Sequence, residues 1–246
     1  MGFHRGPNIV RDGLVFAWDG MSPRSWDGSS STHTDLVGKG TGTKTGANSI
    51  TKSGNHIDFN NSGAGTRTCY ISFPNANITV PTGDTGTWMW AHYFEDAGSV
   101  DHPNFGKETT GTWSGTNGFV FGTGYGTDGP RWGVAGTAHT VYATLGASTG
   151  DYRGNVWQMY CVTYERNSST GLKTYLHDSN GQRKVDERTT SNVAIGSNSN
   201  ALHIGATNSR GGNWNGLMDF VLMYNVALSQ EEVFQNFDAF KSRFGL

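Results

Sequence analysis

The chain has 246 residues, a formal net charge of −2 and only 15% charged residues. It has no block of Lys and Arg to make the positive surface that phosphate binding needs, and no apolar run near the roughly 20 residues of a membrane span, so neither nucleic acid nor membrane is an expected partner. With 36 Gly alongside 8 Trp, 9 Tyr and 13 Phe, the composition describes many strands joined by tight turns, because disordered chains are poor in aromatics.

An all-β chain of this length commonly forms one domain, and no linker, composition break or fixed-period repeat interrupts it. A single domain over 1–246 is expected, with an N-terminal arm over 1–12 and a C-terminal helix over 229–243. The start, Met1-Gly-Phe-His-Arg-Gly-Pro7, lacks the apolar stretch of a signal peptide. This predicts synthesis and folding in a cytoplasm, with any later site of action reached inside a larger particle. Cys69 and Cys161 each fall in a strand-like run and are expected as reduced, buried small hydrophobes. A disulfide between neighbouring strands is the alternative.

Residues 13–19 read as the first strand. Residues 20–55, rich in Gly, Ser, Thr and Lys, read as loops with short hairpins. Short strands follow at 56–60 and 69–73, and residues 86–94 alternate as a central strand does. The pattern is then lost over 95–130 except for a strand at 118–121, and 131–145 give two short strands. The strongest strand runs over 155–164. A further strand covers 172–177, the Asn180-Gly181 pair supplies a hairpin turn, and the chain returns over 182–188. Strands at 201–205 and 216–224 complete the set. Ser229, with Glu232 three residues on, is a capping box, and Val233, Phe237, Phe240 and Phe244 then recur on one helical face, which must dock on something.

Catalytic constellations are missing from this pattern. The six Glu lie at 95, 108, 165, 187, 231 and 232, and none belongs to the alternating carboxylate set that a sandwich glycosidase uses. Glu95 and Asp96 are adjacent and would point to opposite faces of a strand. Gly122-Thr-Gly-Tyr-Gly126 lacks the Lys and the helix of a phosphate loop. No catalytic residue is assigned, and the chain is expected not to be an enzyme. The irregular stretch offers binding chemistry instead. Trp113, Tyr125 and Trp132 could stack on sugar C–H faces, with Asp101, Asn104 and Asp128 fixing hydroxyls. For Trp132 the alternative is a core position, which is also expected for Trp88, Trp90 and Trp157.

The ordered set Trp157 to Tyr164, Tyr175-Leu176, Gly181, Leu202-His-Ile-Gly205, Trp214-Asn-Gly216-x-x-Asp219, Tyr224 and Ala227-Leu-Ser-Gln-Glu-Glu232 resembles a concanavalin A-like, laminin-G-like domain. The resemblance spans nearly the whole chain. It implies an all-β fold, a two-sheet antiparallel β-sandwich (jelly roll) with one C-terminal α-helix. The opening Asn8-Ile-Val-Arg-Asp-Gly-Leu-Val-Phe-Ala-Trp-Asp19, with Ser22-Pro-Arg-Ser25, Thr34-Asp-Leu36 and Gly38-Lys-Gly40, is similar to the start of such domains in virion proteins of tailed bacteriophages. The ending on Arg243-Phe-Gly-Leu246 is similar too. Thr41-Gly-Thr-Lys-Thr-Gly46 stands where that family carries Asn-Gly-Asn-like turns, with equivalent turn chemistry.

The resemblance implies a virion structural protein, a capsid decoration or a head or tail fibre component. It would attach by protein–protein contact to other virion proteins and be present in repeated or homo-oligomeric copies. A carbohydrate-binding adhesin for host surface glycan is the alternative, with a glycan depolymerase behind it. No cofactor is required on this reading. Related domains often hold a structural Ca²⁺, for which Asp58 and Asp219 are the candidates.

Overall fold

In the computed structural model, the described residues are 8–46, 50–54, 56–60, 69–95, 102–109, 117–123, 130–135, 137–140, 155–190, 192–207 and 214–246. In chain order the strands are β1 (Leu14–Asp19), β2 (Thr32–Thr34), β3 (Thr41–Thr45), β4 (Ile50–Ser53), β5 (His56–Phe59), β6 (Tyr70–Phe73), β7 (Thr85–Phe94), β8 (His102–Lys107), β9 (Phe119–Thr123), β10 (Pro130–Val134), β11 (Thr137–Thr140), β12 (Trp157–Glu165), β13 (Leu172–His177), β14 (Arg183–Arg188), β15 (Leu202–Ile204) and β16 (Gly216–Tyr224). Helix α1 (Gln230–Phe244) follows. The stretch expected as loops with short hairpins over 20–55 holds three short strands, β2 to β4, with β2 paired antiparallel to β3 and β4 to β5. β8 escapes the alternation pattern because Pro103, Asn104 and Gly106 interrupt it, and the ladder to β9 shifts register between Pro103 and Phe105.

Two antiparallel eight-stranded sheets form a sandwich. One runs β14-β13-β12-β7-β16-β5-β4, with β1 also paired to β16, and the other runs β11-β10-β9-β8-β15-β6-β3-β2. The fold expected from the resemblance is therefore the one observed.

Central strand β7 shows why the layers stack. Trp88, Trp90 and Phe94 alternate inward to the inter-sheet core, whereas Met89 and Ala91 join the cluster beneath α1. Within the core Trp90 stacks on Tyr160 at 5.4 Å and meets Phe105 edge-on at 5.3 Å, geometries that suit ring quadrupoles. The two cysteines are free and buried. Cys69 lies in the inter-sheet core and Cys161 under the helix, so opposite faces of one sheet keep them apart.

The helix forms where its caps place it. The Ser229 hydroxyl accepts from the Glu232 amide at 3.3 Å, and the Glu232 carboxylate accepts from the Ser229 amide at 2.8 Å. Gly245, at φ 70°, ends the helix in the left-handed conformation that glycine adopts without strain. Val233, Phe237 and Phe244 are buried against the first sheet, and Phe240 stacks on Phe220 at 4.2 Å. Buried Asn236 closes a polar ring on this face. Its Oδ1 accepts from the Val10 amide at 2.8 Å, its Nδ2 donates to the Tyr224 hydroxyl at 3.1 Å, and that hydroxyl donates to the Val10 carbonyl at 3.1 Å. The start of the chain is thereby tied to its last helix. Replacing Asn236 by Ala orphans the Val10 amide and should cost about 2 kcal/mol in urea unfolding. Gln235→Ala, which loses only an exposed bond to the Asn8 carbonyl, should cost less than about 0.5 kcal/mol.

Two histidines are buried neutral. Burial pushes His92 down to about 3, and burial followed by Lys44 pushes His33 down to about 4, from an ordinary 6.5. Trp90 and Asn104 both donate to His92 Nδ1, and Trp18 donates to His33 Nδ1. Between those values and 6.5 the unfolded chain takes up a proton at each site that the native state refuses. Stability from these two sites is thus complete above 6.5 and falls as pH drops through that window, by up to about 1.4 kcal/mol per pH unit for each. In NMR titration the two rings should remain neutral down to about pH 5 in the folded protein; a midpoint near 6.5 for either would refute their buried, accepting geometry.

Candidate functional site

Of the six residues expected to hold a glycan, Trp113, Tyr125, Asp101 and Asp128 lie outside the described residues. The other two are corrections. Trp132 is fully buried and meets Trp90 and Tyr160 edge-on, both at 6.1 Å, so its ring faces have no room for a sugar. Asn104 is also fully buried, donating to His92 at 2.7 Å. Register divides the expected set further. His102, Thr123 and Pro130, which lead into 96–101 and 124–129, sit at one end of their sheet, whereas Lys107, Phe119 and Val134 sit at the other. The strand ends that flank Trp113 are therefore a strand length from those that flank Asp101, Tyr125 and Asp128.

Among the described residues, binding chemistry collects elsewhere, on the outer face of the helix-bearing sheet. Trp157 pairs directly with Tyr93, Tyr93 with Leu217, Leu217 with Asp58 and Asp58 with Thr51. Each alternates with an inward neighbour, so the five side chains form one row across β12, β7, β16, β5 and β4. At a strand spacing of about 4.8 Å the row is roughly 19 Å long. Trp157 was expected in the core but is only half-buried, between Tyr93 at 5.9 Å and Phe244 at 4.5 Å, with the His56 ring at 4.6 Å. The helix covers the sheet up to Phe244, and the row crosses it just beyond.

The acids beside this row differ sharply. Asp219 is fully buried and already bonded: its Oδ2 takes His56 Nδ1 at 2.7 Å and its Oδ1 takes the Ile57 amide at 3.0 Å. Burial nevertheless raises its carboxyl above the usual range. Asp58 keeps Oδ1 buried with no hydrogen-bond partner among the described residues, and burial raises its carboxyl too. Glu95, at the end of β7, is raised by burial and then by the Asp58 charge. Of the two calcium candidates, Asp219 is thus already bonded within the fold, and Asp58 lies close enough to Glu95 for its charge to act there. No group of three or more His, Cys, Asp or Glu that could hold a metal ion occurs among the described residues.

Sequence reasoning missed the row because its members are far apart in the chain and meet only through strand pairing. One signal was available: Tyr93 and Trp157 occupy the outward phase of strands whose inward phase is Trp88, Trp90 and Tyr160.

Against solved structures, the chain is similar to domain 4 of AbnA, a GH43 extracellular arabinanase from Geobacillus stearothermophilus solved in complex with arabinotriose. The identity is 16% and the TM-score 0.57, over 91% of this chain and 98% of that one. It is also similar to Trypanosoma rangeli sialidase in complex with sialic acid, at 15% identity and a TM-score of 0.60, over 96% of this chain and 34% of that one. The chain thus spans about a third of the sialidase, and at these identities the likeness is one of fold. No curated protein matches the chain. Residues 64–234 match the family described as the concanavalin A-like lectin/glucanases superfamily, and the two packed antiparallel sheets are its sandwich. The protein belongs to that family.

Proposed function

We propose that this domain binds glycan without cleaving it and is displayed on a larger assembly, the virion of a tailed phage. The observation that carries the glycan reading is the half-buried Tyr93–Trp157 pair in line with half-buried Asp58. Aromatic faces stack on sugar C–H surfaces, and a carboxylate in the same row accepts a hydroxyl. The near end-to-end likeness to a discrete domain solved with an oligosaccharide supports it. Binding is favoured over hydrolysis because none of the six Glu belongs to the alternating carboxylate set that a sandwich glycosidase uses.

The virion placement rests on the resemblance of the opening segment 8–19 and of the ending 243–246 to phage virion domains. It brings with it repeated copies and attachment through protein contacts.

On a glycan array the full chain should retain a defined set of host surface glycans, in buffer with or without EDTA. Tyr93→Ala and Trp157→Ala should each weaken retention at least roughly tenfold, with folding checked by melting temperature. If Trp113→Ala and Tyr125→Ala abolish retention while the first pair does not, the site belongs to the 95–132 loops. Release of reducing sugar from host polysaccharide would overturn the non-catalytic reading. Mass spectrometry of purified particles should find the protein, and its absence would overturn the virion placement.

A further inference from the structure

A groove of about 380 Å³ opens beside β1, with Leu14, Ala17 and Leu36 among its lining residues. Val37 lies on it too, and at 40% exposure it is one of two large apolar side chains left exposed among the described residues. Ile9, Arg11 and Arg24 complete the lining, and both arginines are exposed.

The charge here is uneven for a structural reason. Asp19, on β1, is held by Arg243 through two bonds of 3.0 Å. Asp35, beside Leu36, accepts from the amides of Ala17, Val37 and Gly38 at 2.9 to 3.0 Å. Both carboxylates are thus occupied within the fold, and Asp12 is the remaining acid on these segments. Among the described residues, the guanidinium groups of Arg11 and Arg24 make no ion pair or hydrogen bond to other side chains or backbone. Exposed Lys39 adds a further positive charge close in sequence.

An apolar groove with two unpaired cations at its rim is complementary to an apolar segment that carries carboxylates. We infer that this groove is the docking surface for an acidic, apolar segment of a partner protein, and so the face by which the domain is attached. The inference deepens the attachment half of the proposed function and stands independently of the glycan half. The geometry separates the two. Leu14 pairs with Tyr224, and the aromatic row crosses β16 at Leu217. Ala17, the lining residue nearest the row, pairs with Leu222, five steps and roughly 16 Å along β16 from Leu217, so a domain held at the groove leaves the row free.

The test uses the full chain and two fluorescent synthetic peptides, one of alternating leucine and glutamate and one with lysine replacing glutamate. Fluorescence anisotropy should show the acidic peptide binding roughly tenfold tighter than the lysine peptide, with the difference shrinking at high salt. The double variant Arg11→Glu, Arg24→Glu should reverse the preference, and Val37→Asp should weaken both peptides. Melting temperature and glycan retention should be unchanged in each variant. Equal affinity for the two peptides, or a preference that survives charge reversal, would overturn the assignment. Acidic-peptide binding that emerges only after deletion of residues 1–7 would also overturn it, because the chain's own start would then be the occupant.

Discussion

The structure depends on one sheet being buried on both faces. Strands β7, β12 and β16 turn Trp88, Trp90, Tyr160, Val221 and Met223 towards the second sheet and Met89, Ala91, Met159, Cys161 and Leu222 towards the helix. Alternation with a period of two lets one strand serve two cores, provided the outward side chains are small or flexible enough for a helix to approach. Phe237 and Val233 dock on that outer face, and the Asn236–Tyr224–Val10 ring satisfies the polar atoms sealed beneath them. The helix ends at Gly245, so the outer face becomes available to a ligand just past Phe244.

Asp35 takes three backbone amides, Asp19 takes a forked guanidinium, and Asp219 takes an imidazole and an amide. Each holds a loop or strand edge in place, as buried carboxylates must be paired to be tolerated. Asp58 breaks this pattern with a buried oxygen that has no partner among the described residues. It stands at the end of an aromatic row instead of inside a loop. The same contrast separates Arg243, bound to Asp19, from Arg11 and Arg24 at the groove.

Fold and function meet in where these exceptions lie. The aromatic row and the groove both flank β16, at different heights, on a sheet stiffened by its second core. A binding domain displayed on an assembly needs such separation between what it holds and what holds it.

Much of the fold was legible in the chain. The alternation over 86–94 and 155–164, the Asn180-Gly181 turn and the Ser229–Glu232 box each act through neighbours a few residues apart, so each could be read locally and each is present. β8 was not legible, because Pro103, Asn104 and Gly106 hide a strand that only its register with β9 and β15 sustains. Asn104 looked available because irregular sequence resembles surface loop, and β8's place between β9 and β15 put it inside; for Trp132 the core alternative is the one found, through pairing with β9. The amino-acid sequence by itself determined the strand-rich body, the capped terminal helix and its greasy face, since these follow from periodicity and short-range hydrogen bonding. Tertiary structure alone decided which residues share a surface. Cross-strand register set Trp157, Tyr93, Leu217, Asp58 and Thr51 in one row, and hydrogen bonds between distant segments occupied the carboxylates of Asp19, Asp35 and Asp219.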